Sequence, residues 1–214
     1  MRLYLSSFRI GTRSDQLVRL TGDHARVAVI ANAMDAAPPD VRRSGVELEM
    51  RALAALGLDP VELDLREYFS NPTTIRERLR EFDAAWLRGG NVFTLRYAMA
   101  KSGADVAFVD LLSDDAIVYA GYSAGPCVLA PSLEGFERVD SPDQVQSLYG
   151  DAPIFEGLGV VDFAFVPHVD SPDHPESEDM NKVIRSLQER HVAHRTLRDG
   201  EVLSVDQGVI THFE

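Results

Sequence analysis

The sequence predicts a three-layer α/β/α protein, a doubly wound and mostly parallel sheet with helices on both faces. Three observations predict it. Short apolar runs alternate with helical stretches from the N-terminus to Ala130. One of them, Arg26-Val27-Ala28-Val29-Ile30-Ala31-Asn32-Ala33, is apolar almost throughout, as in a strand buried on both faces. Another, Ala116-Ile117-Val118-Tyr119-Ala120, runs into Gly121-Tyr122-Ser123-Ala124-Gly125. Gly-x-Ser-x-Gly between a strand and a helix is the pattern of a nucleophile elbow, a turn sharp enough to expose the serine hydroxyl.

Each element follows from local signals. Met1 to Phe8 reads as a first strand. Pro38 and Pro39 precede a helical pattern over 41–56, and Gly57 ends it. A strand is predicted over 60–65. Asn71-Pro72-Thr73-Thr74 opens a helix that reaches Phe82. Ala84-Ala85-Trp86-Leu87-Arg88 is the next strand, closed by Gly89-Gly90-Asn91. Helices over 93–101 and 105–112 lead to the strand before Ser123, and Pro126-Cys127-Val128-Leu129-Ala130 continues as the elbow helix. Residues 131–153 lack periodicity and read as a loop-rich excursion. Strand character returns over 157–168, a helix is predicted over 181–190, and 202–205 and 208–213 read as terminal strands. No linker divides residues 1–214, which predicts one domain.

Composition narrows the function. A net charge of −13 opposes binding to nucleic acid or anionic membranes, where phosphates call for Lys and Arg. No stretch approaches a membrane span, and the N-terminus does not read as a signal peptide. The single cysteine, Cys127, excludes an internal disulfide. A cytoplasmic protein, monomer or homodimer, acting on small molecules is expected. No dinucleotide or Walker fingerprint occurs, so no cofactor is expected. The acidic run around 170–179 has no metal-loop spacing, so no metal is expected.

In a doubly wound sheet, functional residues gather at the carboxyl ends of strands. Ser123, His168 and Gly89-Gly90-Asn91 all fall there. A serine needs a base, and among six histidines His168 is best placed, fixed by Pro167 at the end of an apolar run. His174 is expected in solvent, and His191 and His194 on a helix surface. His24 and His212 carry no signal. The N–H groups of Gly90 and Ala124 are candidates for an oxyanion hole. Elbow hydrolases place the third carboxylate between serine and histidine. The nearest candidates are Glu134, Glu137 and Asp140, with Asp143, Asp151, Glu156 and Asp162 beyond. Cys127 is expected to be a buried apolar residue.

Four motifs occur in order: Arg88-Gly89-Gly90-Asn91-Val92-Phe93, Gly121-Tyr122-Ser123-Ala124-Gly125, Pro131-Ser132-Leu133-Glu134, and Gly157-Leu158-Gly159 through Val166-Pro167-His168. Together they resemble the peptidase E (aspartyl dipeptidase) family of serine peptidases, related to cyanophycinase. The resemblance implies a fold like class I glutamine amidotransferases, with serine in place of the usual cysteine. It implies Ser123 as nucleophile, His168 as base, and Gly90 and Ala124 as the oxyanion hole. The aspartyl dipeptidases carry an aspartate where Arg138 stands here. Some relatives use a glutamate, which makes Glu134 the expected third member and Asp140 the second choice.

Enzymes of this kind that select an N-terminal aspartate carry an arginine beyond the histidine. Residues 171–180 are acidic and lack one, with Lys182 and Arg185 the next cations. The expected activity is hydrolysis of dipeptides or short peptides through an acyl-enzyme. An esterase or amidase with the same triad, and a non-catalytic amidotransferase-like protein that binds a small ligand, are the alternatives.

Overall fold

Strands and helices alternate through most of the computed structural model, which describes residues 1–214. The first half comprises β1 (Arg2–Ser6), α1 (Ser14–Thr21), β2 (Arg26–Ile30), α2 (Pro39–Ala54), β3 (Asp59–Glu62), α3 (Ile75–Leu79), β4 (Ala84–Leu87), α4 (Val92–Ser102) and α5 (Ala104–Ser113). The elbow joins β5 (Val118–Tyr122) to α6 (Ala124–Cys127). Then come α7 (Asp143–Tyr149), β6 (Ala164–Val166), α8 (Ser177–Glu189), β7 (His194–Thr196), β8 (Val202–Asp206) and β9 (Val209–Phe213).

Seven strands form the main sheet in the order β3-β2-β4-β5-β1-β8-β9. The first five are mutually parallel, and β8 and β9 close one edge antiparallel. This is the mostly parallel α/β sheet that the alternation predicts. Period-two alternation distributes the side chains between two cores. Val27, Val29, Trp86, Val118 and Ala120 pack with Leu17 and Leu20 of α1 and Leu53 of α2. Ala28, Ile30, Leu87 and Tyr119 pack on the other face with Leu79 of α3, Leu95 and Met99 of α4, and Phe108 and Leu111 of α5. No helix is long and apolar enough to cross a membrane.

Local chemistry sets several boundaries. Pro39 sits in the first turn of α2, where a missing N–H costs nothing. The Asn91 side chain accepts the Thr94 N–H at 2.9 Å and caps α4. Gly103, at φ 74°, ends that helix in the left-handed region. β3 stops short of Leu65 because the Asp64 carboxylate accepts the Arg66 N–H and starts a 3₁₀ turn.

Four sequence expectations change. The predicted strand over 157–168 shrinks to Ala164–Val166 and does not join the main sheet; it pairs in parallel with β7 alone. The N–H groups of Leu158, Gly159 and Val160 donate instead to Val128, Ala130 and Leu129 in the turn after α6. A backbone bonded that way cannot also form a ladder. The excursion contains a helix, α7, and α1 is an added element on the opposite face. His194 opens a strand rather than lying on a helix.

The elbow depends on close backbone approach. A Cβ on Gly121 would lie 2.3 Å from the Leu87 carbonyl oxygen, and one on Gly125 would lie 2.6 Å from the same atom. Gly121→Ala is therefore expected to destabilise the fold by about 2–3 kcal/mol or more through overpacking. Chemical denaturation tests this; an unchanged midpoint would show that β4 and β5 can separate without cost.

Candidate active site

The carboxyl ends of β4, β5 and β1 meet on one edge of the main sheet, and the site is built there. Ser123 follows β5 with φ 52° and ψ −114°, a conformation that a residue with a side chain rarely adopts. Surrounding bonds hold it. The Ser123 N–H donates to the Ser6 carbonyl at 3.3 Å. The buried Tyr119 hydroxyl donates to the Gly125 carbonyl at 2.7 Å and clamps the far side of the turn. Gly89 lies so close that a Cβ there would stand 2.9 Å from Ser123 Cβ. Gly90, at φ 146°, has the Ala33 carbonyl 2.6 Å from where a Cβ would be. Neither Gly90 nor Ala124 donates its N–H to a backbone carbonyl.

His168 comes from the other sheet. It follows β6, has φ 60°, and is only 1% exposed. Its Nδ1 lies 2.6 Å from Asp199 Oδ1. An ionised carboxylate only accepts, so Nδ1 carries the proton and Nε2 keeps the lone pair. The β6–β7 pairing explains the contact. Leu197 N–H donates to Val166 and Val169 N–H donates to Leu197, which brings Asp199 level with His168. Burial lowers the His168 pKa to about 4, opposed by the Asp199 hydrogen bond and reinforced by His174.

Glu134 does not reach this histidine. It is 60% exposed and accepts from Arg190 Nη2 at 2.6 Å. The chain after α6 folds toward α8 rather than back over the elbow, so the expectation that Glu134 orients His168 is corrected. Asp140 is elsewhere too. It accepts the Val92 N–H at 2.9 Å at the start of α4, and burial raises its pKa to about 7. Asp199 takes the place meant for both. It lies beyond the histidine in sequence, where the order serine–carboxylate–histidine does not point. The one sequence cue was an aspartate before Gly200 ahead of a strand, which ordinary surface turns share.

Ser123, His168, Gly89 and Gly90 line one cavity of about 150 Å³, with Phe8, Arg9, Arg88, Tyr122, His174 and Glu176. His174, expected in solvent, stacks on His168 with ring centroids 3.5 Å apart and planes 2° from parallel. Phe8 packs edge-on against both rings. Nitrogens of both histidines and an Asp199 oxygen lie within 4.8 Å of one another. A metal ion must lie in the plane of each imidazole that binds it, and no point lies in two parallel planes. The cluster is a hydrogen-bonded pair with a stacked neighbour, not a ligand set.

Beneath the cavity, Glu49 is 2% exposed and accepts from Trp86 Nε1 and the Tyr122 hydroxyl, both at 2.9 Å. Arg88 Nε stands 3.6 Å from the same carboxylate, and its Nη1 donates to Gly89. Arg88 is thus neutralised by Glu49, whereas Arg9 and Glu176 form no ion pair. Burial raises the Glu176 pKa. Cys127 is buried, its Sγ donates to the Phe165 carbonyl at 3.3 Å, and burial pushes its thiol well above the usual range. It packs as a small apolar side chain.

Comparison with known proteins identifies the family. The model of peptidase family S51 matches residues 12–212. An uncharacterized peptidase of Listeria innocua, Lin0382, is 28% identical over 78% of this chain and 75% of its own. Peptidase E of Streptomyces coelicolor is 34% identical over 60% of this chain, an alignment that spans about half, 51%, of that relative. A Listeria monocytogenes structure assigned as a peptidase E superposes with a TM-score of 0.80 at 22% identity, covering 99% of this chain and 97% of that one. A peptidase from an acI-B1 actinobacterium superposes with a TM-score of 0.72 at 16% identity, covering 99% and 86%. Those two likenesses show a shared fold. With a family match along nearly its whole length, the chain belongs to peptidase family S51 and is a serine-type peptidase.

Proposed function

We propose that the protein is an exopeptidase for dipeptides or very short peptides, using Ser123, His168 and Asp199. One observation carries the reading: a strained serine and a carboxylate-held histidine open onto the same small cavity. In this mechanism Ser123 Oγ attacks the scissile carbonyl carbon while His168 Nε2 takes its proton. Gly90 and Ala124 N–H groups bind the oxygen as it becomes negative. The intermediate collapses, the C–N bond breaks, and His168 gives the proton to the leaving amine. Water then attacks the ester with the same histidine as base, releasing the N-terminal residue and restoring Ser123. Asp199 holds the imidazole in orientation and stabilises the imidazolium.

The cavity supports small, charged substrates. About 150 Å³ accommodates roughly one residue. Its two uncompensated charges are of opposite sign. Glu176 suits a free α-ammonium, and Arg9 suits a carboxylate, either an acidic side chain or the end of a dipeptide. The acidic segment after His168 thus supplies the anion. The loop after β1 supplies the cation that this segment lacks.

A dipeptide panel run on wild type and Ser123→Ala tests the activity. Wild type is expected to cleave unblocked dipeptides, to lose activity on N-acetylated ones, and to fall by a factor of at least about 10³ in the variant. Full activity in Ser123→Ala would end the proposal. Cleavage of esters but of no peptide would move it to the esterase reading.

Substitution separates the carboxylates. Asp199→Asn is expected to lower kcat by about 10³–10⁴-fold, because the amide can hold the imidazole in the wrong tautomer. Glu134→Gln is expected to stay within about twofold of wild type, since surface ion pairs contribute little. The reverse ranking would restore Glu134 to the triad.

Acidity supplies a further check. The base must be neutral, and burial keeps His168 neutral down to about pH 4. kcat/KM is expected to stay level from pH 7 to about 5 and then to fall. Between about pH 6.5 and 4 the unfolded chain would bind this proton and the folded chain would not, so stability drops as pH falls through that window. An acid limb centred near 6.5 would contradict the burial argument.

A further inference from the structure

We propose that Ser7 is a positioning residue of the triad, a fourth member that fixes both His168 and Asp199. The inference rests on the proposed catalytic use of that pair, but its geometry stands independently. Ser7 follows β1 directly and is wholly buried, with 0% exposure. Its Oγ donates to Asp199 Oδ1 at 3.0 Å, the same oxygen that accepts from His168 Nδ1. It also accepts the His168 backbone N–H at 2.9 Å. A hydroxyl has one proton, and the Leu197 carbonyl at 3.4 Å is the poorer acceptor. The proton therefore belongs to the carboxylate.

This single hydroxyl does three things. It directs a second donor at Asp199 Oδ1, which fixes the orientation of the carboxylate. It satisfies the N–H of a histidine held at positive φ, so the base cannot relax its backbone without orphaning a buried donor. It also ties the base to the nucleophile. The preceding residue, Ser6, accepts the Ser123 N–H through its carbonyl, and the Ser7 N–H donates to Glu201 beside β8. Two consecutive residues at the end of β1 thus touch both halves of the machinery. Ser171 Oγ completes the cradle by accepting the Asp199 N–H at 2.8 Å.

The test is a double-mutant cycle with a spectroscopic readout. Ser7→Ala is expected to lower kcat about 10- to 100-fold with KM within about twofold, as misplacement of supporting groups typically does. In an Asp199→Asn background the same change should add little, because Ser7 acts through Asp199. A merely structural role would give independent, multiplicative losses, or a lower Tm with unchanged kcat, and either would overturn the proposal. Ser7→Cys, nearly isosteric and a weaker donor, should fall between wild type and Ser7→Ala; it decides the matter if the alanine variant fails to fold, and wild-type kcat in Ser7→Cys would count against the proposal. The downfield proton resonance of His168 Nδ1–H reads the geometry without substrate. Its loss or shift in the Ser7 variant supports the inference even if wild type cleaves no peptide, and an unchanged resonance refutes it even if wild type does.

Discussion

The site depends on one carbonyl oxygen, that of Leu87 at the end of β4. Gly121 and Gly125 both press against it, at distances where no Cβ fits. This contact lets β5 approach β4 at the top of the sheet and lets the chain turn back at once into α6. Ser123 has no room to relax from φ 52° because its neighbours on both sides are already fixed. Gly89 and Gly90 are required for the same reason. Their missing side chains leave room for Tyr122, Ser123 and the Ala33 carbonyl. Strain at Ser123 is thus a consequence of backbone packing beneath it, distributed over several glycines around β4 and β5.

That dependence explains what the sequence disclosed. The elbow, the parallel sheet and the glycine loop are local constraints, and local constraints leave their marks in neighbouring residues. The continuous apolar run over 26–33 marks a strand buried on both faces, and the structure divides it, with Val27 and Val29 in one core and Ala28 and Ile30 in the other. The His168–Asp199 contact is of another kind. It arises from a two-stranded pairing, β6 with β7, whose members are separated by α8. Neither three-residue strand has a readable period, and a long apolar run misled by suggesting a strand of the main sheet. What that run provides is backbone donors to the turn after α6.

Glu134 illustrates the same limit. It satisfied a sequence-order argument drawn from elbow hydrolases, yet the loop carries it to Arg190 on the surface. Order along the chain predicts such a contact only when the connections follow the same path, and here the carboxylate paired with His168 arrives from the connection between β7 and β8. His174 shows how little a local environment in sequence says about burial. Surrounded by Asp170, Asp173, Glu176 and Glu178, it nonetheless turns inward and stacks on His168.

Net charge, in turn, does not describe the cavity. A chain at −13 confines one buried carboxylate, Glu49, under Arg88 and leaves Arg9 and Glu176 uncompensated at the walls. Neutralising Arg88 internally has a structural result: its guanidinium, bonded to the Gly89 carbonyl, shapes the glycine loop rather than attracting substrate. The charge available for recognition is reduced to two groups of opposite sign on opposite segments of the chain. Under the proposed function such a wall would discriminate by the placement of charge within the ligand, since a mono-charged ligand would leave one group desolvated and unanswered. The proposed recognition therefore rests on these two placed charges, within a volume of about 150 Å³, and not on the overall charge of −13.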